Sequence, residues 1–151
     1  MSKLVRQLIS DLKRHEGCDL KAYWDPIGRV WTIGYGHTAN VTNGDRISQI
    51  EAEDLLLIDI NEALNTVRST IRNFDSMSFV RKTVLTNMAF NLGNRLKEFK
   101  KMISAIEIED FDRASLEMIN SLWYAQVKSR GVELAKRMKS NTIEEKHIAT
   151  S

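Results

Sequence analysis

The segment that decides the fold spans residues 15–38 and reads HEGCDLKAYWDPIGRVWTIGYGHT. Aromatic and β-branched residues, among them Tyr23, Trp24 and Trp31, lie on both sides of the turn-forming sequence Asp25-Pro26-Ile27-Gly28. This pattern predicts a β-hairpin with its turn near Pro26 and Gly28. Gly17, which tolerates the left-handed backbone conformation, is placed to end a preceding helix.

The residues before this segment have the spacing of an amphipathic helix. Leu4, Val5, Leu8, Ile9 and Leu12 recur at intervals of three and four residues, which predicts a helix over about residues 3–15. Its polar residues interrupt the apolar ones, so the N-terminus lacks the continuous apolar region of a signal peptide. No apolar run reaches the roughly 20 residues that a membrane-spanning helix needs.

The residues after the hairpin predict a succession of helices. Ser48 and Glu51 form a capping-box sequence, which opens a long helix over about residues 48–72. The next helix, about 78–92, is apolar nearly all round and is therefore expected in the core, with Gly93 ending it. Further helices are expected over about 96–106, 111–121 and 128–138, and Asp110 is a candidate N-cap. After Met138 the polar sequence predicts a loosely held end.

The composition is that of one compact domain that folds in a reducing compartment. The chain has 151 residues, of which 42% are apolar, enough for a single core. Cys18 is the one cysteine, so no internal disulfide can form, and we expect a spectator or small buried thiol. The net charge of +2 is too small to choose among nucleic acid, an anionic membrane and an anionic cell wall as the partner.

Three polar residues in the decisive segment are candidates for glycosidic bond cleavage. Glu16 ends the first helix, Asp25 lies at the hairpin turn, and Thr32 lies on the second strand. Cleavage needs a protonated acid and an ionised carboxylate at a set separation, and a hydroxyl helps to hold the attacking water. The negative end of a helix dipole opposes ionisation of Glu16, whereas a nearby Arg or Lys would favour it. Each residue also has a purely structural explanation, as a helix-end, turn or strand residue.

Taken together, these residues resemble a known family. HEG followed by LKAY, Asp25, Gly28 and WTIGYGHT resembles the active-site segment of the phage-type lysozymes, glycoside hydrolase family 24. EAEDLL followed by Asp59 resembles the start of the long interdomain helix of that family, and NMAFNLG resembles its core helix. SLWY with Arg130 resembles its closing helices, so the resemblance covers about residues 8–138.

The resemblance implies a role for each matching residue. Glu16 matches the general acid, Asp25 the carboxylate that acts with the attacking water, and Thr32 the hydroxyl that places this water. His37 and Asp59 match a structural ion pair. The remaining matches fall into two groups, the support of the acid by Arg130, Asn91 and Trp123, and saccharide binding by Phe90, Thr38, Met102 and Glu117. Of the saccharide positions, Thr38, Met102 and Glu117 differ in side chain from the T-even phage enzyme.

The resemblance also implies the architecture. It is an α+β, lysozyme-like fold, a single domain over 1–151 with a cleft between its two lobes. The implied parts are a hairpin lobe at about 16–47, a connecting helix at about 48–72, a helical lobe at about 1–15 and 73–138, and a polar tail at about 139–151.

The implied function is inverting hydrolysis of the β-1,4 bond between N-acetylmuramic acid and N-acetylglucosamine in peptidoglycan, without a cofactor. The expected biology is host lysis by a monomer that accumulates in the host cytoplasm. Because the chain has no export signal, a holin would give it access to the periplasm and the cell wall.

The same residues also permit other interpretations. A metal site is disfavoured because His15, His37 and His147 lack ligand spacing, and Gly34-Tyr35-Gly36 lacks the Lys-Ser/Thr of a phosphate loop. A lytic transglycosylase and a non-catalytic wall-binding module stay open as alternatives, although Asp25 with Thr32 disfavours the first and Glu16 the second. Basic residues of the second lobe form either a solvated face or a surface for an anionic polymer; they are Arg95, Lys97, Lys100, Lys101, Lys128, Arg130, Lys136 and Arg137.

Overall fold

The computed structural model describes residues 1–150 and begins with a helix followed by a β-hairpin. Helix α1 spans Lys3–Glu16, and strands β1 (Asp19–Asp25) and β2 (Val30–Gly34) pair in antiparallel fashion. Ser2 caps α1 by accepting a hydrogen bond from the Val5 backbone N–H. Gly17 ends the helix with φ +65°, as expected for a glycine stop.

A long helix, α2, follows the hairpin and spans Gln49–Thr70. The predicted capping box is present, because the Ser48 hydroxyl accepts from the Glu51 N–H and the Glu51 carboxylate accepts from the Ser48 N–H. One face of α2 is buried against the rest of the molecule. That face consists of Ala52, Leu56, Ile60, Ala63, Leu64 and Val67.

Five further helices build the larger, helical part of the molecule. They are α3 (Phe79–Leu92), α4 (Lys100–Glu107), α5 (Phe111–Ile119), α6 (Leu122–Val127) and α7 (Ser129–Ser140). The α3 helix is buried on most of its surface, and α2, α4, α5 and α7 contribute to the same core. Asp110 caps α5 by accepting from the Arg113 N–H. The predicted α+β architecture is confirmed, with a small hairpin and a mostly helical body.

The helix boundaries differ from the sequence-based ones in two places. The helix expected over about 96–106 is divided into a 3-10 segment, Gly93–Glu98, and α4, which starts at Lys100. The six-residue α6 was not predicted, because so short a helix carries too few residues to display a hydrophobic period. Ser121 caps α6 by accepting from the Tyr124 N–H, a local signal that the sequence did contain.

The polar C-terminal end packs back onto α1. Gln7, which is buried, donates from Nε2 to the His147 carbonyl at 2.8 Å, and its Oε1 accepts from the Ala149 N–H at 2.8 Å. A 3-10 turn at Glu145–His147 precedes these contacts. The loosely held end expected from composition is therefore anchored as far as Ala149, whereas Ser151 lies outside the described residues. Within residues 1–150, no helix combines the length and apolar character needed to cross a bilayer.

Candidate active site

A cleft of about 590 Å³ runs between the hairpin and the helical part. Glu16 lies on the wall formed by the end of α1, and Asp25 and Thr32 lie on the wall formed by the hairpin. Phe90 and Asn91 from α3 and Trp123 from α6 line the opposite side. The fold therefore brings the three residues proposed for catalysis to one concave surface.

Glu16 is held by a buried arginine. Its carboxylate accepts from Arg130 Nη1 at an Nη1–Oε2 distance of 2.7 Å, with only 17% of the Glu16 side chain exposed. Gly36, with φ +75°, lies against the same carboxylate: a Cβ atom there would come within 2.6 Å of Glu16 Oε1.

Arg130 is itself held by α3. Its Nε donates to Asn87 Oδ1 at 2.9 Å, and its side chain is 10% exposed. Arg130 lies in the first turn of α7, so the packing of α7 against α3 positions the cation beside the acid. Asn87 was not predicted from the sequence, which named Asn91 as the supporting asparagine. Both lie on α3, one helical turn apart.

Asn91 and Trp123 contact each other. The Trp123 indole N–H donates to Asn91 Oδ1 at 2.9 Å, and both side chains line the cleft. Trp123 also packs edge-to-face on Phe99, with ring centroids 6.2 Å apart. This pair forms the helical wall of the cleft, while the direct contact with Arg130 is made by Asn87.

Asp25 lies at the end of β1, where the hairpin turns. Its Oδ1 accepts from the Ile27 N–H at 3.0 Å, which leaves further lone pairs on the carboxylate for another donor. A Cβ on Gly28 would come within 2.8 Å of Asp25 Oδ2, so a larger residue at position 28 would collide with the carboxylate in its present position. The side chain is partly exposed at the cleft, as a group that activates water would need to be.

Thr32 lies on β2 and is 3% exposed. Its hydroxyl donates to the Val30 carbonyl at 3.3 Å, and the hydroxyl oxygen retains lone pairs that can accept from a water. Thr32 pairs with Tyr23 across the hairpin, two residue positions along β1 from Asp25. Side chains two apart on a strand share a face, so Tyr23, Asp25 and Thr32 present one surface to the cleft.

His37 and Asp59 make the contact expected between them. His37 Nδ1 lies 2.7 Å from Asp59 Oδ2, and His37 Nε2 lies 3.0 Å from the Ala39 carbonyl oxygen. Burial raises the pKa of Asp59, and the hydrogen bond from His37 acts in the opposite direction. The contact joins the segment after β2 to the middle of α2.

The residues named for saccharide binding fall into two regions. Thr38 and Phe90 line the main cleft. Met102 and Glu117 line an adjoining cavity of about 520 Å³, which shares Arg95 and Trp123 with the cleft. Met102 is 1% exposed and apolar, and Glu117 Oε1 accepts from Arg113 at 3.1 Å.

Behind Glu16 lies a cluster of charged residues that the sequence did not reveal. Glu133 on α7 contacts Arg14 at 2.6 Å, Arg137 at 2.9 Å and His15 at 3.2 Å. Arg137 also makes a two-pronged contact with Asp11, at 2.7 and 3.0 Å, and both of these side chains are almost fully buried. Burial alone would raise the pKa of Glu133, but hydrogen bonds from His15 and Arg14 and the charge of Arg137 hold it well below its usual range.

Comparison with known proteins finds one matching family and several relatives. A family model described as phage lysozyme matches residues 13–140. The endolysin of Acyrthosiphon pisum secondary endosymbiont phage 1 is 32% identical over 108 residues, which cover 72% of this chain and 72% of that protein. Probable T4-type lysozyme 2 of Dictyostelium discoideum is 29% identical, with 94% and 99% covered. The endolysin of Salmonella phage P22 is 25% identical, with 95% and 98% covered.

Proposed function

The chain belongs to the phage lysozyme family and is a lysozyme hydrolase of peptidoglycan, and on this premise we propose which bond it cleaves and how. The bond is the β-1,4 linkage between N-acetylmuramic acid and N-acetylglucosamine. The observation that carries the proposal is the cleft that Glu16, Asp25 and Thr32 line together. This arrangement offers two carboxylates and a hydroxyl to a bound glycan, as hydrolysis requires.

Glu16 acts as the general acid in this proposal. Arg130 holds Oε2 at 2.7 Å, which leaves Oε1 to carry the proton that passes to the leaving oxygen of the sugar. The contact with Arg130 fixes the carboxyl rotamer, and the Asn87 contact fixes Arg130 in turn. Orientation of this kind lowers the barrier because the reacting groups are positioned before the reaction begins.

Asp25 acts as the general base, and Thr32 positions the water. A water between the Asp25 carboxylate and the Thr32 hydroxyl would donate to Asp25 and attack the anomeric carbon from the face opposite the leaving group. The bond from water oxygen to carbon forms as the glycosidic bond breaks, and the water proton goes to Asp25. The product of this single displacement has the inverted anomeric configuration. General acid and base groups with water supply the whole chemistry, so the proposal invokes no cofactor.

The biological role that we propose is that of an endolysin, which releases phage by degrading the host wall. The enzyme would accumulate in the host cytoplasm as a monomer and reach the wall after a holin permeabilises the inner membrane. The support is the endolysin name of two relatives, at 32% and 25% identity. Lysis by this enzyme from inside intact cells would then depend on co-expression of a holin.

A turbidity assay on permeabilised Gram-negative cells tests the catalytic proposal. Glu16→Gln keeps the shape of the acid but has no proton to give, so the clearing rate should fall by about 10²-fold or more. The matched control is Glu145→Gln, which makes the same change at an exposed glutamate of the C-terminal turn and should clear at the wild-type rate. Equal rates for wild type and Glu16→Gln would remove Glu16 from the mechanism.

Product analysis distinguishes hydrolysis from the two alternatives. A hydrolase leaves reducing N-acetylmuramic acid ends, whereas a lytic transglycosylase leaves anhydro sugars, and a binding module leaves no product. The anomeric configuration of the fresh product then tests inversion. Release of the β-anomer by the wild-type enzyme would rule out the single displacement.

A further inference from the structure

The histidine next to the general acid connects it to the buried charge cluster. The His15 side chain is only 6% exposed, although it lies in the last turn of α1, one residue before Glu16. Both of its ring nitrogens have partners on other helices. Nδ1 lies 3.1 Å from Asn87 Nδ2 on α3, and Nε2 lies 3.2 Å from Glu133 Oε1 on α7.

The chemistry of the partners determines which way each hydrogen bond points. Asn87 Oδ1 accepts from Arg130 Nε at 2.9 Å, so the Asn87 amide N–H₂ faces His15 and can only donate. His15 Nδ1 must therefore be unprotonated. His15 Nε2 lies 3.2 Å from Glu133 Oε1, which can only accept, and 3.3 Å from Arg14 Nη1, which can only donate. Arg14 Nη1 already donates to Glu133 Oε1 at 2.6 Å, so the carboxylate is the partner that assigns the proton to Nε2. A ring with a bare Nδ1 and its proton on Nε2 satisfies the contacts with Asn87 and Glu133 together.

These contacts form one continuous chain that ends at the acid. Arg130 donates both to Asn87 and to Glu16, at 2.9 and 2.7 Å, and Asn87 donates to His15, which donates to Glu133. Asn87 and Thr83, which lie one turn apart on α3, are fully buried, so bulk water has no access to replace a lost contact there. An asparagine that loses its His15 acceptor is free to rotate and to present its amide N–H₂ to the guanidinium, where two donors repel.

We propose that His15 is a positioning residue for the reaction: by accepting from Asn87 through Nδ1, it holds the asparagine in the orientation that keeps Arg130 on Glu16. The proposal rests on the proposed role of Glu16 as the acid. His15 itself does not touch the glycan in this proposal. The Nδ1 contact is the one that matters to the reaction, and the Nε2 contact with Glu133 serves stability.

Two substitutions separate the two ring nitrogens. His15→Asn places an amide oxygen where Nδ1 was, so it can still accept from Asn87 but does not reach Glu133. His15→Gln extends an amide toward Glu133 but offers no acceptor at the Nδ1 position. We expect His15→Gln to lower kcat by about tenfold or more relative to His15→Asn, since a misplaced reacting group costs up to about 10²-fold. KM should be nearly the same in both, because neither change touches the cleft surface.

Control measurements distinguish a positioning role of His15 from an effect on stability and from a failure of Glu16 as the acid. Thermal unfolding should give both His15 variants a lower Tm than wild type, and kcat is measured well below both values, so a kcat difference between them cannot come from folding. His147→Gln alters the other histidine near Glu133, at 3.8 Å, without touching Asn87, and should keep the wild-type kcat. Glu16→Gln, measured beside them, reports separately on the acid. Equal kcat for His15→Asn and His15→Gln, with Glu16→Gln inactive, would overturn the positioning role and leave the acid in place.

The tautomer can be measured on the wild-type protein even if a variant fails to fold. The chain has three histidines, and nitrogen-15 NMR of the labelled rings distinguishes a protonated from an unprotonated ring nitrogen. We expect the His15 signals, assigned by their absence in a His15 variant or by through-bond correlation to its backbone, to report a bare Nδ1 and a protonated Nε2 near neutral pH. A proton on Nδ1 would contradict the proposal, because the Asn87 amide could not then donate to it.

Discussion

The buried charge cluster gives the sharpest prediction about stability. Glu133 and Asp11 supply two carboxylates, and Arg14 and Arg137 supply two guanidiniums, so the cluster is balanced in charge. The substitution Glu133→Gln removes one negative charge and leaves the two cations with Asp11 alone. Because the Glu133 side chain is 13% exposed and that of Arg137 is 2% exposed, water cannot compensate for the loss.

The expected size follows from the burial of the partners. Breaking a buried ion pair by removing one partner costs about 3–5 kcal/mol. Arg14 is 34% exposed and both arginines keep contacts with Asp11, so the cost should lie at the low end, about 3 kcal/mol at neutral pH. For a chain of this length that corresponds to a Tm lower by about 6–12 °C.

The pH dependence of this difference has a definite sign. A carboxyl whose folded pKa lies below its unfolded value contributes stability that is fully present above the unfolded pKa and is lost as pH falls through the folded one. The pKa of Glu133 is lowered from 4.5. The difference in unfolding free energy between wild type and Glu133→Gln should therefore be constant above pH 4.5 and shrink as the pH falls below 4.5.

Urea unfolding of both proteins between neutral pH and about pH 3 measures the difference directly. The matched control is Glu144→Gln, because Glu144 is 43% exposed and its nearest cation is 3.6 Å away. An exposed pair of this kind is worth about 0–1 kcal/mol, so the control should unfold nearly like wild type. A wild-type advantage over Glu133→Gln that stays constant or grows toward acid pH would refute the pairing argument.

Three further substitutions test the site. Gly36→Ala should reduce kcat by about tenfold or more, since its Cβ would meet Glu16 Oε1 at 2.6 Å and displace the acid; wild-type kcat would show that the acid adapts. Thr32→Glu places a carboxylate beside the proposed water site and should yield a glycosyl-enzyme adduct or the retained anomer, read by mass spectrometry and product NMR; a folded variant giving neither would count against Thr32 facing the anomeric carbon. His37→Asn should unfold about 1–3 kcal/mol more easily yet stay active, because the shorter side chain cannot contact Asp59 and the Ala39 carbonyl together as the ring does; a stable but inactive variant would make His37 catalytic.

Much of the fold could be predicted because its signals are local. The Ser48–Glu51 capping box, the glycine after Glu16 and the Asp110 cap each act within four residues of chain, and all three are present in the structure. The apolar composition of the helix before Gly93 likewise predicted its burial. Where the sequence-based boundaries differ, as at α6, the element is too short for any periodic pattern to form.

The sequence identified three candidate catalytic residues that prove to share one cleft, but it did not reveal the side chains that hold them in place. Glu16, Asp25 and Thr32 lie in one short segment whose pattern is distinctive, and the cleft brings them together. Asn87 was missed because a buried asparagine within an apolar helix gives no sign of which side chain it will meet. His15 was considered only as a metal ligand, although its contacts are hydrogen bonds to α3 and α7.

The sequence by itself determined the hairpin and most of the helices, which faces are apolar, and that Glu16 closes a helix just before a hairpin. These features depend on backbone preferences and spacing within a few residues. Only the tertiary structure decided that Arg130, 114 positions along the chain, lies on Glu16, and that Glu133 lies 118 positions from its partner His15. Such pairs form because the burial of apolar helix faces brings distant polar groups together, and buried polar groups must then satisfy one another.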